Sequence, residues 1–155
     1  MWNWLKSLFR LPEPAGPAQL LRAYDISEAT ITKDGVSVEA DSWRVECEQP
    51  RTVRLFEIPE PGLEQCYLAF RAQMRSENLE GRAYLEMWCR VPARGEFFSK
   101  AYHNAVEGTN DWVSCEAPFF LKRGQRPDLI KLNVVLEGPG TVWVKDVHLL
   151  STALK

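Results

Sequence analysis

No run of apolar residues in this chain approaches the length that a bilayer-spanning helix needs. Charge of one sign is lacking as well: 19 basic side chains face 21 acidic ones, for a formal net charge of −2. So balanced a surface has no global basic field with which to gather nucleic acid. Histidine is scarce. His103 and His148 stand apart, each on a predicted strand, and read as surface or hydrogen-bonded structural residues. There is no Gly-x-Ser-x-Gly elbow, no His-Glu-x-x-His, no phosphate-cradling glycine loop and no Gly-x-Gly-x-x-Gly. Acids such as Glu86 and Glu116 are scattered, with nothing that marks them as an acid/base pair. A protein that is not an enzyme is expected. The first residues lack a small-residue cleavage site, and Lys6 and Arg10 interrupt their apolar run, which makes a poor secretory signal. The expected location is cytoplasmic, peripheral at a membrane.

What the chain does have is aromatic side chains, turn residues and alternation. Its 155 residues suffice for one domain with a real core, and six tryptophans suit a sandwich with bulky inward residues. Segments 42–48, 52–58, 65–75, 83–91, 96–103, 112–121, 129–137 and 141–149 alternate in polarity or are rich in β-formers. Pro, Gly, Asn and Asp punctuate the gaps, and Asp34-Gly35 predicts a tight hairpin between 31–33 and 36–38. About eight to ten strands of this kind predict an all-β fold, an antiparallel sandwich or jelly roll. Alternation puts Cys47, Cys66, Cys89 and Cys115 on the buried side with Val45, Leu68, Leu85 and Val113. Their spacings match no zinc pattern, so reduced core thiols are expected, with disulfides the competing reading.

Residues 1–11 predict a short amphipathic helix. On a helical wheel Trp2, Trp4, Leu5, Leu8, Phe9 and Leu11 fill one arc, and Lys6 and Arg10 lie on the other. Trp, Phe and Leu opposite basic residues is the pattern of a helix lying in a headgroup region or against a partner, and these eight residues are its binding candidates. A helix packed on its own domain, or a frayed tail, is the competing reading. Pro12-Glu-Pro-Ala-Gly-Pro17 cannot continue that helix and predicts a semi-rigid spacer. The expected organisation is therefore a helix over 1–11, a tether and lead-in over 12–24, and a β-domain over 25–155. Whether 19–24 adds a helical turn or a first strand is left open by its pattern.

Four stretches carry a resemblance: Gly81-Arg-Ala-Tyr-Leu-Glu-Met-Trp88-Cys, Gly95-Glu-Phe-Phe-Ser, Gly108-Thr-Asn-Asp-Trp112 and Gly140-Thr-Val-Trp143-Val-Lys-Asp146-Val. They resemble the signature of a family of small, uncharacterised bacterial β-domains whose closing strand reads Gly-Thr-Val-Trp-Ile-Asp-Asp-Val. That strand is similar, more distantly, to the last strand of galactose-binding-like jelly rolls, including carbohydrate-binding modules. The resemblance implies a jelly roll, and it raises a structural calcium held by acids of the closing strand. Only Asp146 of those acids remains, with Lys145 before it, and an ammonium repels a hard cation. No cofactor is expected, and Asp146 is only a weak metal candidate.

Two functions follow. The first is a non-catalytic interaction domain held at a membrane surface, an accessory or assembly subunit of a membrane complex, resting on the 1–11 helix and its tether. The second is a carbohydrate-binding module. If Leu85, Met87 and Cys89 point inward, Tyr84, Glu86, Trp88 and Arg90 share the opposite face, joined by Lys131, Asn133 and Glu137 of the next strand. Aromatic rings flanked by charged and amide groups can stack on a sugar and bind its hydroxyls. Against this, a loop or the N-terminal segment covers Tyr84 and Trp88.

Overall fold

The computed structural model describes residues 13–155. Nine strands run through them: β1 (Gln19–Tyr24), β2 (Val36–Glu39), β3 (Ser42–Cys47), β4 (Arg51–Pro59), β5 (Cys66–Val91), β6 (Gly95–Lys100), β7 (Val106–Leu121), β8 (Leu129–Leu136) and β9 (Gly140–Ala153), with one 3₁₀ turn at Tyr102–Asn104. All pair antiparallel, in the order β2-β3-β9-β5-β8-β4, with β1 on β9 and with β6 and β7 on β5. The all-β architecture expected from alternation is therefore present. The amphipathic helix expected over 1–11, with Trp2, Trp4, Leu5, Lys6, Leu8, Phe9, Arg10 and Leu11, lies outside the described residues.

One strand makes the two layers. The segments 65–75 and 83–91 expected as separate strands are the two halves of β5. Its first half pairs with β9 and β7, its second with β8 and β6. Between them Asn78 and Gly81 take φ values of 51° and 74°, and the register slips against β7. The 138–140 turn fits into this bend. Glu80 N–H donates to the Pro139 carbonyl at 2.9 Å, and a Cβ on Gly138 would stand 2.2 Å from the Glu80 carbonyl oxygen. Glycine is needed there because two backbones touch.

Inward residues of both layers form one core. Phe70, Leu68, Met74, Leu85, Met87, Leu121, Ile130, Leu132 and Leu149 are all fully enclosed. Each such side chain contributes about 1.5–3 kcal/mol by leaving water. Tyr24 of β1 stacks on Phe56 of β4 at 3.9 Å, and Trp43 meets the same ring at 5.5 Å, closing the side where β1 joins. Cys66, Cys89 and Cys115 are buried free thiols, as alternation predicts; Cys47 is only half-buried and donates its Sγ–H to the Gly138 carbonyl. Burial pushes the Cys89 thiol up to about 12 and Cys115 to about 11.

Two local expectations change. The Asp34-Gly35 turn forms, but it does not join paired strands. β2 pairs instead with β3 around Ala40 and Asp41, while Ile31 and Thr32 N–H groups donate to Leu55 and Arg54 carbonyls along the open side of β4. The unpaired acceptors of that edge draw the 31–32 segment to the other layer. Residues 13–24, expected as tether and lead-in, lie along the closing strand: β1 pairs with β9, Pro14 bridges Leu154, and Ala15 N–H donates to the Ala153 carbonyl at 2.7 Å.

Candidate functional site

The outer face of the β4–β8–β5–β6 layer gathers the side chains that alternation assigns to it. Register aligns Arg54, Asn133, Glu86 and Lys100 in one row across the four strands, and Glu57, Lys131, Trp88 and Phe98 in the next. Tyr84 and Arg90 flank these rows on β5. Of the seven expected face residues, Tyr84, Glu86, Trp88, Arg90, Lys131 and Asn133 are thus on one surface, opposite the enclosed Leu85, Met87 and Cys89, and Glu137 follows the end of β8.

They differ in access. Tyr84 is only 4% exposed because the Tyr102 ring of the 3₁₀ turn packs edge-on against it at 4.7 Å. Arg82 lies 4.7 Å from the Tyr102 ring centroid and makes a two-pronged bond to Glu137, at 2.8 and 2.9 Å. Burial, with the Tyr102 hydrogen bond second, pushes the Tyr84 hydroxyl up to about 12. The covering loop weighed against an open ring is therefore real for Tyr84, which walls the face and offers no stacking surface. Trp88 keeps partial exposure beside Phe98, whose ring lies 4.9 Å away and is 55% exposed. Phe98 is absent from the residues singled out by sequence. Its signal was the Pro92–Gly95 turn, which fixes the β5–β6 register and so sets Phe98 opposite Trp88.

Beside the rings is a polar pair. Asn133 donates Nδ2–H to Glu86 Oε1 at 3.0 Å, and both side chains are about 5% exposed. That bond fixes the amide orientation and leaves Asn133 Oδ1 buried with no hydrogen-bond partner. A buried unpaired acceptor costs about 1–3 kcal/mol, so the pair is a polar element enclosed beneath the face and not part of its open surface. The charges around it cancel. Arg54 pairs with Glu57, Arg82 with Glu137, Arg90 with Asp128 at 2.8 Å, Lys100 with Glu86 at 3.8 Å and Lys131 with Glu96 at 2.8 Å. A face whose cations are all matched suits an uncharged ligand better than an anionic one.

The outer face of the other layer is rich in rings that are already occupied. Trp143, the closing-strand tryptophan, is 5% exposed; Arg75 lies 3.9 Å from its ring, Arg44 5.8 Å, and its Nε1–H donates to Glu39 Oε2 at 2.5 Å. Lys145 stands 4.2 Å from the Trp112 ring and 3.8 Å from Asp41. Asp146 sits exposed at a bulge of β9 with φ 54°. Among the described residues, no three His, Cys, Asp or Glu side chains gather as metal ligands. A cleft of about 710 Å³ at one end of the sandwich, lined by Asp34, Glu46, Cys47, Glu48 and Arg51 among others, presents no aromatic ring. His103 lies in the 3₁₀ turn and not on the strand expected for it, since β6 ends at Lys100, and His148 lies on β9 opposite Arg71.

No protein-family description matches the sequence, and no curated protein is similar enough to report. Solved structures are similar in fold. The family 22-1 xylan-binding domain from Paenibacillus barcinonensis Xyn10C has a TM-score of 0.56 at 10% identity, covering 91% of this chain and 99% of that one. A family 4 carbohydrate-binding module gives 0.54 at 9% identity, over 84% and 77% of the two chains. The Clostridium thermocellum Xyn10B protein containing a family 22-1 module gives 0.53 at 9%, over 85% of this chain and 25% of that one. At such identity these likenesses show the jelly-roll fold. Nothing in them, or in the described residues, supports the membrane-held accessory subunit. Among the described residues no helix is long and apolar enough to cross a membrane.

Proposed function

We propose that this protein is a non-catalytic carbohydrate-binding module that holds an uncharged glycan on the outer face of β4, β8, β5 and β6. The observation that carries this reading is the accessible Trp88–Phe98 pair on a face whose charges are matched. Sugar rings present apolar C–H faces that stack on aromatic rings, and their hydroxyls can bond the partly exposed Lys131–Glu96 ion pair beside Trp88 and Phe98. Tyr84 and Arg82, locked by Tyr102 and Glu137, act as a fixed wall. The likeness of fold to carbohydrate-binding modules supports the same direction, while the ligand argument rests on this chain's own side chains.

The test is affinity electrophoresis of the full chain through gels containing neutral polysaccharides of different linkage, followed by calorimetry with oligosaccharides of any that retard it. Trp88→Ala and Phe98→Ala should each abolish retardation while leaving the fold intact. Retardation that survives both changes would move the site elsewhere, and no retardation by any neutral glycan would end the proposal.

A further inference from the structure

A sheet has edges, and unpaired strand edges tend to find partners. Of the five strands that pair on one side only, four are blunted, β1 by the bulge between Leu20 and Arg22. Ile31 and Thr32 cover β4, β7 carries Pro118, which lacks an N–H, and β2 is four residues long. β6 is different: it pairs with β5 on one side only, and Gly95, Glu96, Phe97 and Phe98 are all exposed.

The direction of its backbone groups follows from two bonds. Ala101 N–H donates to the Leu85 carbonyl, and Asp128 N–H on the opposite side of β5 donates to the Arg90 carbonyl. Odd residues of β5 therefore face β6 and even ones face β8. By the β5–β6 register, Phe97 and Ser99 direct their backbone groups to β5, while Glu96, Phe98 and Lys100 direct theirs outward. The outward three also send their side chains to the Trp88 face, and they read Glu, Phe, Lys with equal spacing. Such a sequence is complementary to itself when reversed.

We propose that β6 pairs with β6 of a second copy of this chain, antiparallel about a two-fold axis through Phe98. The axis sets Phe98 against its own counterpart and Glu96 opposite Lys100 of the other copy, twice. Each of these pairs can exchange two backbone hydrogen bonds, because all three residues present free N–H and C=O groups. Charged residues normally protect an edge; here their order makes the edge attractive to its own copy and to little else. The 39% exposed Phe97 and the 55% exposed Phe98 gain cover in the same contact. One strand per copy buries far less than the ~800 Å² per partner of a standard interface, so the dimer is concentration-dependent. This pairing rests on the backbone and charge order of β6 and not on the identity of a ligand, although it covers Phe98, which the glycan platform also uses.

Sedimentation velocity of the full chain over a range of concentrations should show a mass rising from 17.8 kDa towards twice that value. Phe98→Pro removes an N–H that β5 does not use, so it should keep the hairpin, checked by circular dichroism, and stay monomeric. Glu96→Lys alone and Lys100→Glu alone set like charges across the axis and should also stay monomeric. Their equimolar mixture should recover a heterodimer, a result that a folding defect cannot imitate and that decides the matter if Phe98→Pro fails to fold. A wild-type chain that remains monomeric, a dimer unmoved by these changes, or a mixture that does not associate would each overturn the proposal.

Discussion

Leu85→Ala and Trp88→Ala, three residues apart on β5, should separate stability from binding. Leu85 is fully enclosed between the layers, so truncation removes its transfer energy and leaves a cavity that the surrounding side chains cannot all fill. That combination costs about 2–5 kcal/mol. Trp88 is larger but partly exposed, and its described ring partner is Phe98. Losing a tilted aromatic pair costs about 0.5–1.5 kcal/mol beyond area, and water enters the space left behind, so no dry cavity forms. With a urea m-value of about 2 kcal/mol/M, Leu85→Ala should lower the unfolding midpoint by about 1–2.5 M and Trp88→Ala by clearly less. Glycan retardation should show the reverse order, lost in Trp88→Ala and kept in Leu85→Ala below its unfolding transition. If Trp88→Ala is the more damaging in urea, the two faces of β5 are inverted and the ligand site falls with them.

Acid should destabilise the fold. Arg82 holds the Glu137 carboxyl below its usual range, Arg90 does the same for Asp128, and at Glu116 burial works upward but the Arg71 and Tyr67 bonds prevail, so its net shift is down. Depressed carboxylates stabilise above their unfolded pKa of about 4 and lose that contribution as pH falls through the folded values. Urea midpoints at pH 7, 5 and 3 should therefore decline mainly below pH 5, and a flat profile would contradict the pairing. Thiol titration should find Cys47 reacting first in the folded chain and all four cysteines after unfolding without reductant; four fast thiols in the folded chain would contradict burial. Gly138→Ala should cost about 1–3 kcal/mol by forcing the 138–140 turn off the β5 bend, whereas Ala at Gly16, where a Cβ meets nothing within 4 Å, should be nearly silent.

Fold class and the sidedness of β5 are legible in alternation, because a period of two is a local property that a buried face enforces; on β7 it fails at Val113, expected inward with Cys115 but 37% exposed. Leu85, Met87 and Cys89 against Tyr84, Glu86, Trp88 and Arg90 was legible for that reason, as were the buried Cys66, Cys89 and Cys115, whereas Cys47 is only half-buried. Which strands are neighbours depends on long-range pairing that no local pattern encodes. The 65–75 and 83–91 segments look like two strands because the bend at Asn78 and Gly81 interrupts their alternation, yet one backbone carries both layers. The Asp34-Gly35 dipeptide specifies a turn but not what its flanks pair with, and the open β4 edge took Ile31 and Thr32. Trp88 and Tyr84 carry the same local pattern. Their accessibilities differ because a 3₁₀ turn sets Tyr102 over Tyr84, while the β6 register sets only Phe98 beside Trp88. Exposure is a property of what arrives from elsewhere in the chain, and alternation along one strand does not encode it.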